Sequence, residues 1–203
     1  MEDSRGTKFW MSTNRIETLV DGIFAIAMTL LVLSLAVPEI AVPLSDSVIR
    51  ISLQDILPKF YVFVLSFILL ALFWTIHHRT FHIIKRADNV LLWINIIWLL
   101  FIVMVPFSQT LVGDYGHFTT PHFIFNLNML GIAILLTLNG YYASKNNLMD
   151  ENISQSRINA INRSCIMFVF ITLLAITLSF IVPQWSSLAY VLIIPMEKFI
   201  VKL

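Results

Sequence analysis

Charge is what this chain has least of. Only 12% of its 203 residues are Asp, Glu, Lys or Arg, where a soluble domain carries about a quarter. The net charge is +1. No basic patch carries interleaved aromatics on a polar surface, which excludes nucleic acid as a partner. Cysteine is nearly absent: Cys165 stands alone in an apolar run, excludes an intrachain disulfide and reads as a small core residue. There is no Gly-rich phosphate loop and no Ser–His–Asp order around a nucleophile motif. Paired aspartates on facing helices, which an intramembrane protease needs, are missing too. Histidines number five. His78-x-x-x-His82 has the spacing of a metal-ligand pair, but membrane di-iron oxidases use several such boxes, and His117 and His122 fall on the other side of the membrane. Neither an enzyme, a metal site nor a cofactor is expected.

What the chain does have is apolar sequence. Hydrophobic residues make up 58% and the mean hydropathy is +0.84, so the chain reads as an all-α integral membrane protein. Six apolar runs stand out, at about 16–37, 57–77, 90–112, 121–142, 158–182 and 185–201. Pro38 and Pro43 follow the first, Pro58 opens the second and Pro183 stops the fifth. The runs read as continuous except the sixth, which is shorter, is interrupted by Pro195 and is open to a partly interfacial reading. A cleaved signal peptide is excluded for the first run, because it is too long and no small-residue cleavage site follows it.

Lysine and arginine fix the orientation. One set of loops and ends holds Arg5, Lys8, Arg15, Arg79, Lys85, Arg86, Lys145, Arg157, Arg163, Lys198 and Lys202; the opposite loops hold only Arg50 and Lys59. The richer side is cytoplasmic, so both termini lie inside, as an even number of spans requires. Connections are short, and 144–156 is the only extended polar loop. Residues 1–203 therefore read as a single six-helix transmembrane domain. Asn152-Ile153-Ser154 fits a glycosylation pattern but is cytoplasmic on this topology and carries no meaning. No internal repeat relates the two halves.

The first run is the most informative. Residues 15–37 read RIETLVDGIFAIAMTLLVLSLAV, long enough to cross a bilayer yet carrying Arg15, Glu17 and Asp21. An ionisable group at such a depth is costly without a partner or water. At 100° per residue, Leu19, Gly22, Ile26, Leu30, Leu33 and Val37 share an arc of roughly 80°. Arg15 extends this stripe and Thr29 flanks it. Asp21 lies about 140° from Ile26, on a face expected to bury the carboxylate against neighbouring helices. Ladders of this kind commonly serve lipid or helix packing, and a structural hydrogen-bond anchor accounts for Asp21 as well as a transport role does. Further polar residues fall at membrane depth: Trp74, His77 and His78 near the end of the second run, Asn95 in the third, Asn126 and Asn128 in the fourth. A carboxylate meeting an imidazole or amide lowers its desolvation cost. The sequence thus predicts a cytoplasmic-side polar cluster of Arg15, Asp21, His77 and Asn95, with Trp74 beside it, joining the first three helices in a structural role.

Taken together, these residues are familiar. Arg15-x-x-x-Leu19-Val20-Asp21-Gly22-Ile23-Phe24-Ala25-Ile26, continuing through Thr29-Leu30-Leu31-Val32-Leu33, resembles the first helix of the transmembrane protein 175 family of potassium channels. The resemblance extends to Trp74-x-x-His77-His78 and to Asn95 followed by Pro106-Phe107, and covers about the first 115 residues. The chain departs from the family's Phe-Ser-Asp at Leu19-Val20, which removes a hydroxyl from the cytoplasmic cluster. The resemblance implies a prokaryotic one-repeat member: a homotetramer in the plasma membrane with the first helices lining a central pore for potassium. It further implies that Ile26, Leu30 and Leu33 narrow that pore and that Thr29 bears on selectivity. These positions lie on the stripe drawn by helical geometry.

The resulting expectation is a leak-type potassium channel of modest selectivity, since the sequence has no Thr-Val-Gly-Tyr-Gly filter, whose partners are potassium, copies of itself and the lipid bilayer. No arginine-rich helix is present, so steep voltage dependence is not expected. A proton channel using Asp21 and His77, a secondary transporter, and a non-conducting scaffold are the alternatives.

Overall fold

Apolar periodicity turns into helix along almost the whole described chain, which comprises residues 12–37 and 45–193 of a computed structural model. Helix α1 (Thr13–Leu30) continues into a 3-10 turn, Leu31–Ser34. Then come α2 (Asp46–Asp55), α3 (Leu57–Phe81), α4 (Asn89–Val103), α5 (Val105–Tyr115), α6 (Thr119–Lys145) and α7 (Gln155–Ile181). A 3-10 segment, Pro183–Leu192, closes the described part.

Among the described residues five stretches are long and apolar enough to cross a membrane: Thr13–Ser34, Leu57–Phe81, Asn89–Tyr115, Thr119–Lys145 and Gln155–Ile181. The second runs one turn beyond His77, the end drawn from the sequence, taking in His78 to Phe81. Of the sixth run, the described residues are a 3-10 segment folded against α7, with Ser186, Ser187, Ala189 and Tyr190 buried; residues 194–201, including Pro195, lie outside the described residues. So do Pro38 and Pro43 and the charges Arg5, Lys8, Lys198 and Lys202.

The expectation of continuous helices needs correction at the third span. Its winding is interrupted at Met104, two residues before Pro106, which stands in the first turn of α5. Proline has no N–H to donate and its ring crowds the carbonyl four residues back. The chain bridges the break with Met104 N–H to Leu100 O (3.2 Å) and Ser108 N–H to Met104 O (3.0 Å), so the span continues past it. Helix α2 occupies a stretch that the sequence reading treated as connection. Ser45 caps it, its hydroxyl oxygen accepting from Val48 N–H at 3.3 Å, and Asp46 sits in the first turn, where the helix dipole favours an acid.

A single apolar core joins the helices. Phe24 of α1 meets Trp98 of α4 at 5.4 Å, and Phe73 of α3 meets Phe168 of α7 at 4.8 Å, in both cases between ring centroids. Helix α6 runs through the centre, packed on α4, α5 and α7. Gly131 lets Phe101 lie against its backbone: a Cβ there would run into the ring. On the lysine- and arginine-rich side, the α3–α4 and α6–α7 loops clasp one another. Lys85 N–H donates to Leu148 O and Asp150 N–H to Ile83 O, both at 2.9 Å, and Lys85 Nζ pairs with Asp150 Oδ2 at 3.2 Å.

A candidate pore helix and its polar anchors

The sequence of α1 decides which way it faces. Ile16, Val20, Phe24, Ala27 and Leu31, spaced at four and three residues, are its buried positions. This stripe docks against α3, α4 and α5. Everything opposite is left uncovered in the single chain. Ile26 is 60% exposed, Leu30 41% and Leu33 71%. Thr29 and Gly22 share that open side, and a Cβ built on Gly22 would meet nothing within 4 Å. The Thr29 hydroxyl donates to Ile26 O at 2.8 Å, so its oxygen lone pairs, not its proton, are what it offers outward.

The polar residues do not form the single cluster drawn from the sequence. Asp21 is exposed, not buried against neighbouring helices, because it lies about 100° around the helix from Val20. There it accepts Trp74 Nε1–H at Oδ1, 2.8 Å, across the seam between α1 and α3. The Trp74 ring in turn stacks on His78, with centroids 5.7 Å apart. Arg15 is exposed and makes no ion pair with Asp21. Six residues apart on one helix, the two side chains diverge by about 120°.

His77 and Asn95 belong to a second, buried chain. His77 is 1% exposed and shares a hydrogen bond of 2.9 Å between Nε2 and Asn95 Oδ1. Asn95 Nδ2 donates to Leu91 O (3.1 Å) and to Asn139 Oδ1 (3.0 Å), carrying the chain from α3 through α4 to α6. Trp98 and Phe81 sandwich the imidazole, centroids 4.7 and 4.2 Å away and nearly parallel. Asn139 was missed in the sequence. A lone amide in an apolar run announces no partner.

Two further amides serve as ties. Asn126 accepts Tyr190 O–H at 2.8 Å and donates to Ala175 O at 3.2 Å, pinning the last 3-10 segment to α6 and α7. Asn128 Nδ2 donates to Ser108 Oγ at 3.4 Å, joining α6 to α5. His78 and His82 are exposed, and among the described residues no three metal-ligating side chains gather.

With this geometry in view, likeness to known proteins is informative. A family profile described as the endosomal/lysosomal potassium channel TMEM175 matches residues 15–106, from the start of the candidate pore helix to the break in the third span. A potassium channel of Chamaesiphon minutus is 30% identical over 86% of this chain and 87% of its own. A potassium channel of a Chryseobacterium species is 31% identical over 63% of this chain, and the match spans 63% of that relative's length. The crystal structure of a lysosomal potassium-selective channel TMEM175 homolog from Chamaesiphon minutus superposes with a TM-score of 0.80 at 28% identity, covering 93% of this chain and 97% of that one. More distant is the endosomal/lysosomal proton channel TMEM175 of Gallus gallus, 29% identical over 52% of this chain and 22% of its own length.

Proposed function

The chain belongs to the TMEM175 channel family, and from that premise we propose that it is a potassium channel whose pore is lined by α1. Four copies surround an axis with Ile26, Leu30 and Leu33 as stacked apolar rings. Narrow rings of this kind exclude water and stop ions, so conduction is gated by wetting and dewetting. A small tilt or rotation of the four α1 helices is enough to open the path. Potassium passes more readily than sodium because its hydration shell is easier to deform at an apolar constriction. Thr29 oxygens, their protons held by Ile26 O, supply partial replacement for lost water ligands. Without a carbonyl cage, selectivity is modest.

One observation carries this reading. The α1 face bearing Ile26, Thr29, Leu30 and Leu33 is left open by its own subunit, while the opposite face is fixed in the core. The setting is a bacterial plasma membrane, spanned several times, with the termini on the cytoplasmic side. Reversal potentials of the purified protein in liposomes under opposed potassium and sodium gradients test it. A shift toward the potassium equilibrium potential supports the reading, and a null response to both gradients overturns it.

A second reading rests on the vertebrate relatives named as proton channels together with the His77–Asn95–Asn139 chain. On that reading the reversal potential follows pH instead of potassium.

A further inference from the structure

Just past Leu30 the candidate pore helix tightens. Leu31–Ser34 winds as 3-10, with Leu35 N–H closing on Val32 O at 2.9 Å. In 3-10 winding residues i and i+3 eclipse, whereas in an α-helix they sit about 60° apart. The tight turn therefore carries Leu33 over Leu30 on one line. Hydrogen bonds of 3-10 type have the poorer geometry, so this winding needs support from outside the segment.

Support comes from two places. Leu31 is fully buried in the core. Ser34 donates its own hydroxyl to Leu31 O at 2.8 Å and accepts Gln109 Nε2–H at 2.6 Å. Gln109 stands on α5, 1% exposed, and its Oε1 finds no hydrogen-bond partner. A half-satisfied amide buried in a membrane span carries a desolvation cost that leucine would not. The bond to Ser34 is the feature for which a leucine offers no substitute.

We propose that Gln109 is a positioning residue: through Ser34 it holds the outer turn of α1 in 3-10 winding and so keeps Leu33 stacked on Leu30 along the ion path. The proposal rests on α1 lining the pore. With the bond gone, the turn relaxes to α winding and Leu33 swings about 60° off the Leu30 line. The outermost apolar ring is then turned off the Leu30 line toward that of Ile26, which changes the shape of the outer end of the constriction.

The test uses full-length protein in liposomes, Cys165→Ala throughout, with Leu33→Cys as reporter for a water-soluble thiol reagent. Gln109→Leu and Ser34→Ala should each change the rate of modification by about threefold or more, as expected for losing one hydrogen bond. In the Leu33 background the same two changes should lower the potassium-to-sodium permeability ratio. Ser34→Thr, which keeps the hydroxyl, should restore both readouts, which a merely structural role would not predict. Should Gln109→Leu fail to fold, Ser34→Ala carries the test from the other partner. Modification at an unchanged rate in both variants overturns the positioning role and leaves the pore reading standing. A Leu33→Cys that the reagent never reaches, with Gln109 and Ser34 in place, overturns the pore reading and this proposal with it.

Discussion

Trp74 reaches across from α3 to donate its indole hydrogen to the Asp21 carboxylate, 2.8 Å away. The bond fastens the first half of α1 at the seam beside its open face, while the end of the span is fastened at Ser34 by Gln109. Between these two points Ile26, Thr29 and Leu30 have no polar tie to another helix among the described residues. That spacing suits a helix whose middle must shift while its ends stay placed.

Trp74→Phe keeps the ring and removes the donor. The exposed setting of the pair discounts its worth, and the expected loss is about 0.5–1.5 kcal/mol. Thermal unfolding in detergent measures it. Asp21→Asn keeps an acceptor and should cost less; a larger loss than Trp74→Phe would show that the negative charge, not the hydrogen bond, is what matters there.

Asn95 is the hinge of the buried chain, contacting both His77 and Asn139. Asn95→Leu strands the imidazole and the second amide, each at about 1–3 kcal/mol. A large drop in melting temperature is expected. Asn139→Leu breaks one link only and should be milder, and equal effects would speak against a chain centred on Asn95.

Opposite faces of α1 should respond differently to truncation. Phe24→Ala removes a buried ring packed on Trp98, at about 3–5 kcal/mol. Ile26→Ala, on the open face, should leave subunit unfolding within about 0.5 kcal/mol yet raise cation leak. Stability and flux measured on the same preparations separate the two. Unaltered flux in Ile26→Ala removes that residue from the constriction.

Thr29→Val preserves shape and deletes the outward oxygen. A lower potassium-to-sodium permeability ratio is expected, with Thr29→Ser close to the native value. A ratio insensitive to both changes takes Thr29 out of the selectivity mechanism.

The clasp between the α3–α4 and α6–α7 loops carries a pH signature. Asp150 is held below the usual carboxylate value of 3.8, first by Asn152 N–H and then by Lys85. A depressed carboxyl stabilises the folded loop above its unfolded value and loses that contribution as pH falls through and below 3.8. Hydrogen exchange at Lys85 and Asp150 should be flat from pH 7 to about 5, after correction for intrinsic rates, and protection should fall only under stronger acid. Loss of protection near pH 6 would assign the clasp to another group.

How much of this was legible in the sequence follows from which forces are local. The open stripe of α1 could be read because a 3.6-residue period sets Ile26, Leu30 and Leu33 on one side without reference to any neighbour, whereas the Asp21 face, expected buried, is exposed. Arg15 falls outside the predicted cluster because helical geometry sets it on a different side from Asp21. Asn139, Gln109 and Ser34 gave no signal, since their partners depend on which helices adjoin. The break at Met104 and the start of α2 have local causes in Pro106 and in Ser45 with Asp46, although the third run was expected continuous and the α2 stretch a connection. Tightening of α1 after Leu30 was not announced, because its cause lies on α5.

Cysteine substitution along α1 in a Cys165→Ala background, read as block of potassium flux by a thiol-reactive cation, tests the central claim most directly. The account predicts block at Ile26→Cys and Leu30→Cys and none at Val20→Cys or Ala27→Cys. Block confined to the latter pair, or equal at all four, would contradict it.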